Sequence, residues 1–203
     1  MKLLRYHLPS LSPRRVLDIG ANVGNFYYET REAWPDASYT LVEAHPPCEP
    51  QIAATGQRYF IATIGDKRRE VDFYTLPSTP TCTGNSYYRE LTEHYRDAAV
   101  LVEKRMLVPL SELLPGETFD FIKLDVQGAE RDVIMGGSEI FRSAEHVLME
   151  VSVQEYNKGA PLWVEMMPFM DSIGFGEHVI VADINHPEMG LIQHDVLFKR
   201  SKT

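Results

Sequence analysis

The chain has 203 residues, two cysteines, 44% hydrophobic residues and a formal net charge of −9. This length fits one domain with a core of its own, which excludes a disulfide scaffold and predicts free thiols at Cys48 and Cys82. The acidic balance makes nucleic acid and anionic membranes unfavourable partners. No apolar run reaches the roughly 18 to 20 residues of a membrane span, so we expect a cytoplasmic protein.

Short apolar runs alternate with segments of helical spacing, which predicts an α/β fold with parallel strands and crossover helices. The seven predicted strands are residues 15–19, 39–43, 58–62, 119–124, 146–151, 178–182 and 195–199. The predicted helices are residues 23–34, 128–135 and 162–173. We expect residues 1–203 to form one domain, with residues 1–13 as an N-terminal arm.

Residues 70–110 interrupt this alternation and are predicted to be an insertion. Its two apolar ends are expected to pair as an antiparallel ribbon, while its middle lies over one edge of the sheet. Tyr87, Tyr88 and Tyr95 recur at near-helical spacing and predict the packed face of a lid.

The strongest local signal is VLDIGANVGNF, residues 16–26, where a buried strand enters a glycine-rich turn and then a helix. Gly20 and Gly24 allow the backbone to approach a ligand, and the following helix offers free N–H groups. The second strand ends at Glu43, whose carboxylate can accept two hydrogen bonds from a ribose diol. Together these features predict a site for an adenosine-containing cofactor.

The details of the turn favour one cofactor over another. A dinucleotide site requires GxGxxG, but Asn22 and Asn25 replace its second and third glycines, and Asp18 is unfavourable beside phosphate. S-adenosylmethionine (SAM) has a ribose diol, an ammonium that Asp18 could meet directly or through water, a sulfonium and no phosphate. The turn therefore predicts a SAM site.

A second signal is FDFIKLDVQGAE, residues 119–130, a strand that ends at Asp125 and is followed by Gln127 and a helix. Ligands of open parallel sheets bind beyond the carboxyl ends of the strands, so we expect Asp18, Glu43 and Asp125 to converge there. Asp125 is equally compatible with a helix cap and a reactive-site acid. Glu150, which ends the next strand, is expected to support the site by hydrogen bonding rather than to react.

The order VLDIGANVGN, TLVEAHP, FIKLDVQGAE, VLMEVS and HDVLFKR resembles the FkbM-type family of SAM-dependent methyltransferases, with KLDVQGAE as the most specific segment. The resemblance implies a three-layer, Rossmann-like sheet of seven strands with an antiparallel last strand. It also implies O-methylation of hydroxyl groups on sugars, polyketides or other small molecules, which leaves S-adenosylhomocysteine (SAH). Family members often carry paired serines in the insertion, where this chain has Asn85, Ser86 and Tyr87.

Carried onto this sequence, the resemblance and the chemistry nominate a cradle for the methionine part of SAM, formed by Asp18, Gly20, Ala21, Asn22 and Gly24. Glu43 is then the ribose ligand, Asp125 the acid nearest the methyl group, and Gln127 a further contact. Two candidates remain open for deprotonation of the acceptor, namely Asp125 and His94.

Three other functions share parts of these motifs: a SAM-binding domain without catalysis, a nicotinamide-dependent oxidoreductase and a nucleic-acid methyltransferase. The oxidoreductase needs the missing glycines, and the nucleic-acid enzyme needs a basic face. Asp125 and Glu150 lack further acidic or histidine ligands at metal-site spacing, so we expect no metal. The acceptor and the oligomeric state are left undetermined.

Overall fold

The structure, a computed structural model, describes residues 11–76, 83–96 and 100–201. The strands are β1 (Arg15–Ile19), β2 (Ser38–Glu43), β3 (Arg58–Ile61), β4 (Thr63–Gly65), β5 (Glu70–Thr75), β6 (Leu101–Pro109), β7 (Phe121–Leu124), β8 (His146–Ser152), β9 (Glu177–His186) and β10 (Gly190–Lys199). The α-helices are α1 (Asn25–Thr30), α2 (Glu49–Ala53), α3 (Glu93–Arg96), α4 (Leu110–Leu113), α5 (Glu130–Gly136), α6 (Ser138–Ser143) and α7 (Trp163–Ser172).

Seven strands form the main sheet in the order β3-β2-β1-β7-β8-β10-β9. The strands from β3 to β8 pair in parallel, whereas β10 runs antiparallel to both β8 and β9. This arrangement confirms the predicted α/β fold with a mostly parallel sheet and an antiparallel last strand. The strand order reverses between β1 and β7, so the edge beyond their carboxyl ends is where a ligand site is expected.

Hydrophobic side chains cover both faces of this sheet, as expected where helices pack on each side. Successive residues of β1 show the alternation, because Leu17 belongs to one core cluster and Val16 to the other. The first cluster includes residues of α5, α6 and α7, and the second includes Phe26 of α1 and Ile52 of α2. Because both faces are covered in the described part of the chain, the strand ends are the place where a ligand can approach the sheet.

Two predicted helices differ from the structure in length. The first was expected over 23–34, but α1 begins after Gly24, whose left-handed backbone (φ 84°) lies outside the helical region, and it ends at Thr30. The second was expected over 128–135, but two helices, α5 and α6, follow each other on either side of Gly137. The break lies at Gly137, whose backbone (φ −138°, ψ 31°) is not helical. A Cβ on Gly136 would lie 2.0 Å from the carbonyl oxygen of Gly65, so the last position of α5 requires glycine.

The predicted antiparallel ribbon is confirmed, since β5 pairs antiparallel with β6 from Glu70↔Met106 to Thr75↔Leu101. β6 also pairs in parallel with β4, which gives a small second sheet. The rings of Tyr87 and Tyr88 pack 5.1 Å apart, and Tyr95 is buried. Cys48 is a buried free thiol, while Cys82 lies outside the described residues.

Candidate functional site

The glycine-rich turn after β1 has the backbone that its sequence requires. Gly20, Asn22 and Gly24 all adopt left-handed conformations, with φ of 80°, 49° and 84°. The N–H groups of Gly20 and Ala21 donate to the carbonyl oxygen of Val42, at 2.8 and 3.1 Å. A Cβ on Gly20 would lie 1.7 Å from the carbonyl oxygen of Asp125, so only glycine fits there.

Glu43 is buried at the end of β2 and faces this turn. One carboxylate oxygen accepts the backbone N–H of Asn22 and the other accepts that of His45, both at 2.7 Å. Burial raises the pKa of Glu43, and these two N–H groups counteract the rise. Each oxygen retains a second lone pair, so the carboxylate is able to accept hydrogen bonds from a diol as well.

Asp18 does not lie where the sequence placed it. Its side chain is 0% exposed, and it lines neither of the cavities that meet at the turn. Neither carboxylate oxygen has a hydrogen bond within the described part of the chain, and the Nζ of Lys123 is 3.7 Å away. Burial raises the pKa of Asp18 to about 6 despite this cation. Asp18 thus lies beneath the turn rather than in a cavity wall, and its contact with a ligand ammonium, directly or through water, stays a prediction.

Lys123 is a site residue that sequence reasoning missed. Its Nζ donates to Asp125 Oδ2 at 3.0 Å and to the carbonyl oxygen of Gly20 at 3.1 Å. Burial opposes its charge, but Asp125 and Asp18 outweigh that effect and raise the pKa of Lys123. Lys123 therefore ties the glycine turn to the loop after β7 and remains charged.

The loop after β7 joins two carboxylates through one amide. The Nε2 of Gln127 donates to Asp125 Oδ1 at 2.8 Å and to Glu150 Oε2 at 2.9 Å. Gln127 holds a left-handed conformation (φ 54°), which non-glycine residues rarely adopt and which often marks functional sites. This geometry brings Asp125, Gln127 and Glu150 together in one hydrogen-bonded group.

The sequence left open whether Asp125 caps the following helix or is a reactive-site acid, and in the structure it does not cap α5. The carboxylate of Glu130 instead accepts the backbone N–H groups of Val126 and Gly128, at 3.0 and 3.3 Å. Glu130 therefore holds the backbone of the loop after β7 at the start of α5. Burial raises the pKa of Glu130 to about 7.

Two cavities meet at the glycine turn and share Gly20, Asn22, Thr83 and Asp125 as walls. The first, which we call the turn pocket, is lined by residues 19, 20, 22, 42–44, 62–64, 73, 83, 85–87, 125–127 and 129. The second, which we call the acidic cavity, has a volume of about 250 Å³ and is lined by residues 20–22, 25, 26, 29, 83, 123–125, 148–150 and 195. Ala21 thus faces the acidic cavity, whereas Glu43 and Gln127 face the turn pocket.

Burial raises the pKa of Glu150 well above its usual range, and the negative charges of Asp125 and Asp195 add to the rise. Burial and Asp125 also raise the pKa of Asp195, which is the register partner of Glu150 on β10. The acidic cavity therefore holds carboxylates that take up protons more readily than ordinary ones.

The insertion covers the turn pocket. Ser86 Oγ donates to the carbonyl oxygen of Val126 at 3.1 Å, and the hydroxyls of Tyr87 and Tyr88 each donate to Asp132 Oδ2 at 3.2 Å. The insertion is thus fastened to the loop after β7 and to α5.

The predicted proton acceptor His94 is described only in part. The backbone of His94 belongs to α3, and its side chain is outside the described part of the structure. In residues 11–76, 83–96 and 100–201, no three His, Cys, Asp or Glu side chains are grouped to hold a metal ion. Within these same ranges, no helix has both the length and the apolar character that a membrane crossing requires.

Comparison with known proteins places the chain among methyltransferases. A family profile described as "Methyltransferase FkbM domain" matches residues 18–176. The chain is 29% identical over 161 residues to the 2-O-methyltransferase NoeI of Sinorhizobium fredii, which covers 71% of this chain and 65% of NoeI. It is 33% identical over 82 residues to a trans-aconitate 2-methyltransferase of Mycolicibacterium gilvum, covering 40% of this chain and 30% of that protein. The chain thus spans less than two thirds of the length of either relative.

Solved structures agree on the fold. The N-terminal domain of EvdMO1 with bound SAH superposes with a TM-score of 0.57 at 10% identity, covering 99% of this chain and 80% of that one. A SAM-dependent methyltransferase from Archaeoglobus fulgidus superposes with a TM-score of 0.56 at 11% identity, covering 97% and 91%. The family profile, which spans most of the chain, shows that the protein belongs to the FkbM-type family of SAM-dependent methyltransferases.

Proposed function

We propose that this chain transfers a methyl group from SAM to a hydroxyl oxygen of a small molecule. The observation that carries the proposal is the position of Glu43, which backbone N–H groups hold on both oxygens at the wall of the turn pocket. A carboxylate fixed in this way is suited to bind a ribose diol.

The residues around the turn fit SAM better than a dinucleotide. Gly20 leaves no room for a side chain, whereas Asn22 occupies the position where a pyrophosphate requires glycine. Among the described lining residues of both cavities, the single cation is Lys123, and Asp125 and the Gly20 carbonyl already bind it. A phosphate would therefore find no free positive charge, whereas a sulfonium or ammonium would meet carboxylates.

The proposed cofactor contacts are Gly20, Ala21, Asn22, Gly24, Glu43, Asp125 and Gln127, with Asp18 supporting the turn from below. When bound, SAM supplies an electrophilic methyl group on a sulfonium. The residues of the chain then position the acceptor oxygen and receive its proton. Positioning can lower the barrier by about 7 to 11 kcal/mol, more than the about 3 to 5.5 kcal/mol that a general base supplies.

The proton acceptor is the part of the mechanism where the structure adds a candidate. Asp125 is already bonded to Lys123 and Gln127, whereas Glu150 has one amide donor and a raised pKa. We therefore propose Glu150 as the proton acceptor, with Asp125 as the fixed charge beside it. His94 remains a prediction from the sequence.

The relatives support methyl transfer and suggest oxygen as its target. NoeI is named as a 2-O-methyltransferase, and the Mycolicibacterium relative as a methyltransferase of trans-aconitate. We also propose that the chain forms one methyltransferase domain.

Two measurements test this function. Calorimetry is expected to show binding of SAM and SAH, and incubation with labelled SAM and fractionated metabolites is expected to yield a product heavier by one methyl group. Binding without transfer to any fraction would instead support a non-catalytic SAM-binding domain. Thermal protection by NAD without protection by SAM would support an oxidoreductase.

A further inference from the structure

The acidic cavity lies directly beside the turn pocket, and beyond the proposed cofactor contacts at Gly20, Ala21, Asn22 and Asp125 its wall has no assigned ligand. Gly20, Asn22 and Asp125 form walls of both. A molecule in the acidic cavity would therefore be a neighbour of a cofactor bound in the turn pocket. With a volume of about 250 Å³, the cavity has room for a small ring or a comparable part of a larger molecule.

The charges around this cavity are strongly unbalanced. Four carboxylates line it: Glu29 from α1, Asp125 after β7, Glu150 from β8 and Asp195 from β10. The one cation among the described lining residues is Lys123, which is already bonded to Asp125 and to the Gly20 carbonyl. Glu29, Glu150 and Asp195 thus make no salt bridge with a described cation of this wall, although Lys123 also attracts Glu150 and Asp195.

The hydrogen-bonding capacity of the cavity has the same bias. Glu150 Oε2 accepts the amide of Gln127, whereas Oε1 of the same group makes no hydrogen bond within residues 11–76, 83–96 and 100–201. An ionised carboxylate accepts hydrogen bonds and cannot donate one. A ligand that donates through O–H or N–H groups satisfies them, whereas a carboxylate or phosphate ester adds acceptors and a further negative charge.

We propose that the acidic cavity is the acceptor subsite and that it selects uncharged or amine-bearing hydroxyl compounds over carboxylates and phosphate esters. This inference rests on the proposed function, since it assigns the acceptor of that reaction. It would separate the chain from the trans-aconitate relative, whose named substrate is a carboxylate.

The test uses three matched probes, namely methyl glucoside, methyl glucosaminide and methyl glucuronoside, which carry no charge, an ammonium and a carboxylate. Their affinities are measured by ligand-observed NMR titration on the full chain, with and without saturating SAH. We expect the glucuronoside to bind at least about tenfold more weakly than the other two, because its carboxylate is repelled by every wall carboxylate that is ionised and must itself be desolvated while Lys123 is already bonded to Asp125 and to the Gly20 carbonyl.

Variants locate the preference in the cavity. Glu150→Gln combined with Asp195→Asn is expected to improve glucuronoside affinity relative to methyl glucoside by about tenfold, whereas Glu188→Gln, an exposed charge outside the cavity wall, leaves the ratio unchanged. Equal affinities for the three probes, no binding by any of them, or an unchanged ratio in the double variant would overturn the inference. Failure of SAH to bind would overturn the proposed function instead, and the charge preference would still be measured on the cofactor-free protein.

Discussion

Glu43 ends β2 and Glu150 lies two residues before the end of β8, on opposite sides of the point where the strand order reverses, yet the two are held in different ways. Glu43 receives a backbone N–H on each oxygen, and both donors belong to the fixed turns beside it. Glu150 receives one side-chain amide on one oxygen and lies beside two other carboxylates.

This difference separates holding a ligand from reacting with it. Burial raises the pKa of Glu43 as well, but two backbone donors counteract the rise by stabilising its ionised form, so Glu43 is suited to a constant role in binding. Burial and neighbouring negative charges favour the protonated form of Glu150, so it can take up a proton during a reaction. Neighbouring acids with contrasting environments are a common basis for dividing such roles.

The strongest test of this contrast is Glu150→Gln. If Glu150 receives the proton of the acceptor, this variant is expected to lose turnover by roughly 10²- to 10⁴-fold, with SAM affinity nearly unchanged. Steady-state kinetics with the acceptor found by the metabolite screen, together with calorimetry, measures both quantities. An equal loss of turnover and SAM affinity would show that Glu150 binds the cofactor rather than the proton.

Asp18 sharpens the comparison, because it is a carboxylate with no hydrogen-bond donor in the described structure. Its pKa rises from 3.8 to about 6 on folding. Between these two pH values, Asp18 therefore holds a proton in the folded protein but not in the unfolded chain. Its contribution to stability is therefore full below pH 3.8 and lost as the pH rises through about 6.

We expect Asp18→Asn to remove this pH dependence. Relative to the wild type, the variant should gain about 2 to 3 kcal/mol of stability between pH 4 and pH 7, as the shift of the Asp18 pKa implies. Denaturant unfolding at several pH values measures it, with exposed Glu139→Gln as a control for the loss of one charge. A constant difference between Asp18→Asn and the wild type across this range would contradict the prediction.

The reverse pattern is expected on the cofactor side. Glu43→Ala should weaken SAM binding by about 1 to 3 kcal/mol, because charge-assisted hydrogen bonds to the ribose are lost. Turnover at saturating SAM should fall much less than in Glu150→Gln. Calorimetry measures the SAM affinity of Glu43→Ala, with Glu49→Gln as a matched control for the loss of one charge. Unchanged SAM affinity in Glu43→Ala would remove Glu43 from the site.

The Glu43 side of this contrast was predictable from the sequence, because it depends on local signals. Patterns a few residues long predict the strand and glycine turn of residues 16–26 and the acid at the end of the second strand, Glu43. Lys123 could not be placed in the same way, since its partners depend on register, and β1 and β7 bring Lys123 beside Asp18. Phe121 and Lys123 lie on one face of β7, and Asp125 follows at the same spacing of two residues just after the strand. This spacing is the signal that could have revealed Lys123.

The role of Glu150 was also beyond sequence reasoning. Its environment comes from Gln127 and from Asp195 on an antiparallel strand, so it depends on how distant segments meet. Likewise, Gly136 at the end of α5 packs against the backbone of Gly65, and no local pattern encodes this contact. Pairwise contacts between distant segments decided each of these features.

The smallest expected effect concerns the insertion, which covers the turn pocket and is fastened by two tyrosine hydroxyls to Asp132. Tyr88→Phe removes one of these hydrogen bonds and keeps the ring, so stability should fall by about 0.5 to 1.5 kcal/mol. Amide hydrogen exchange of residues 84–92 should become faster, while exchange in β1 and β7 stays the same.

Tyr87→Phe alters the wall of the turn pocket as well, so it should also weaken SAH binding, which Tyr88→Phe should not. If neither variant changes exchange in the insertion, these hydroxyls do not hold it over the turn pocket, and the cover must depend on its other contacts, such as that between Ser86 and Val126.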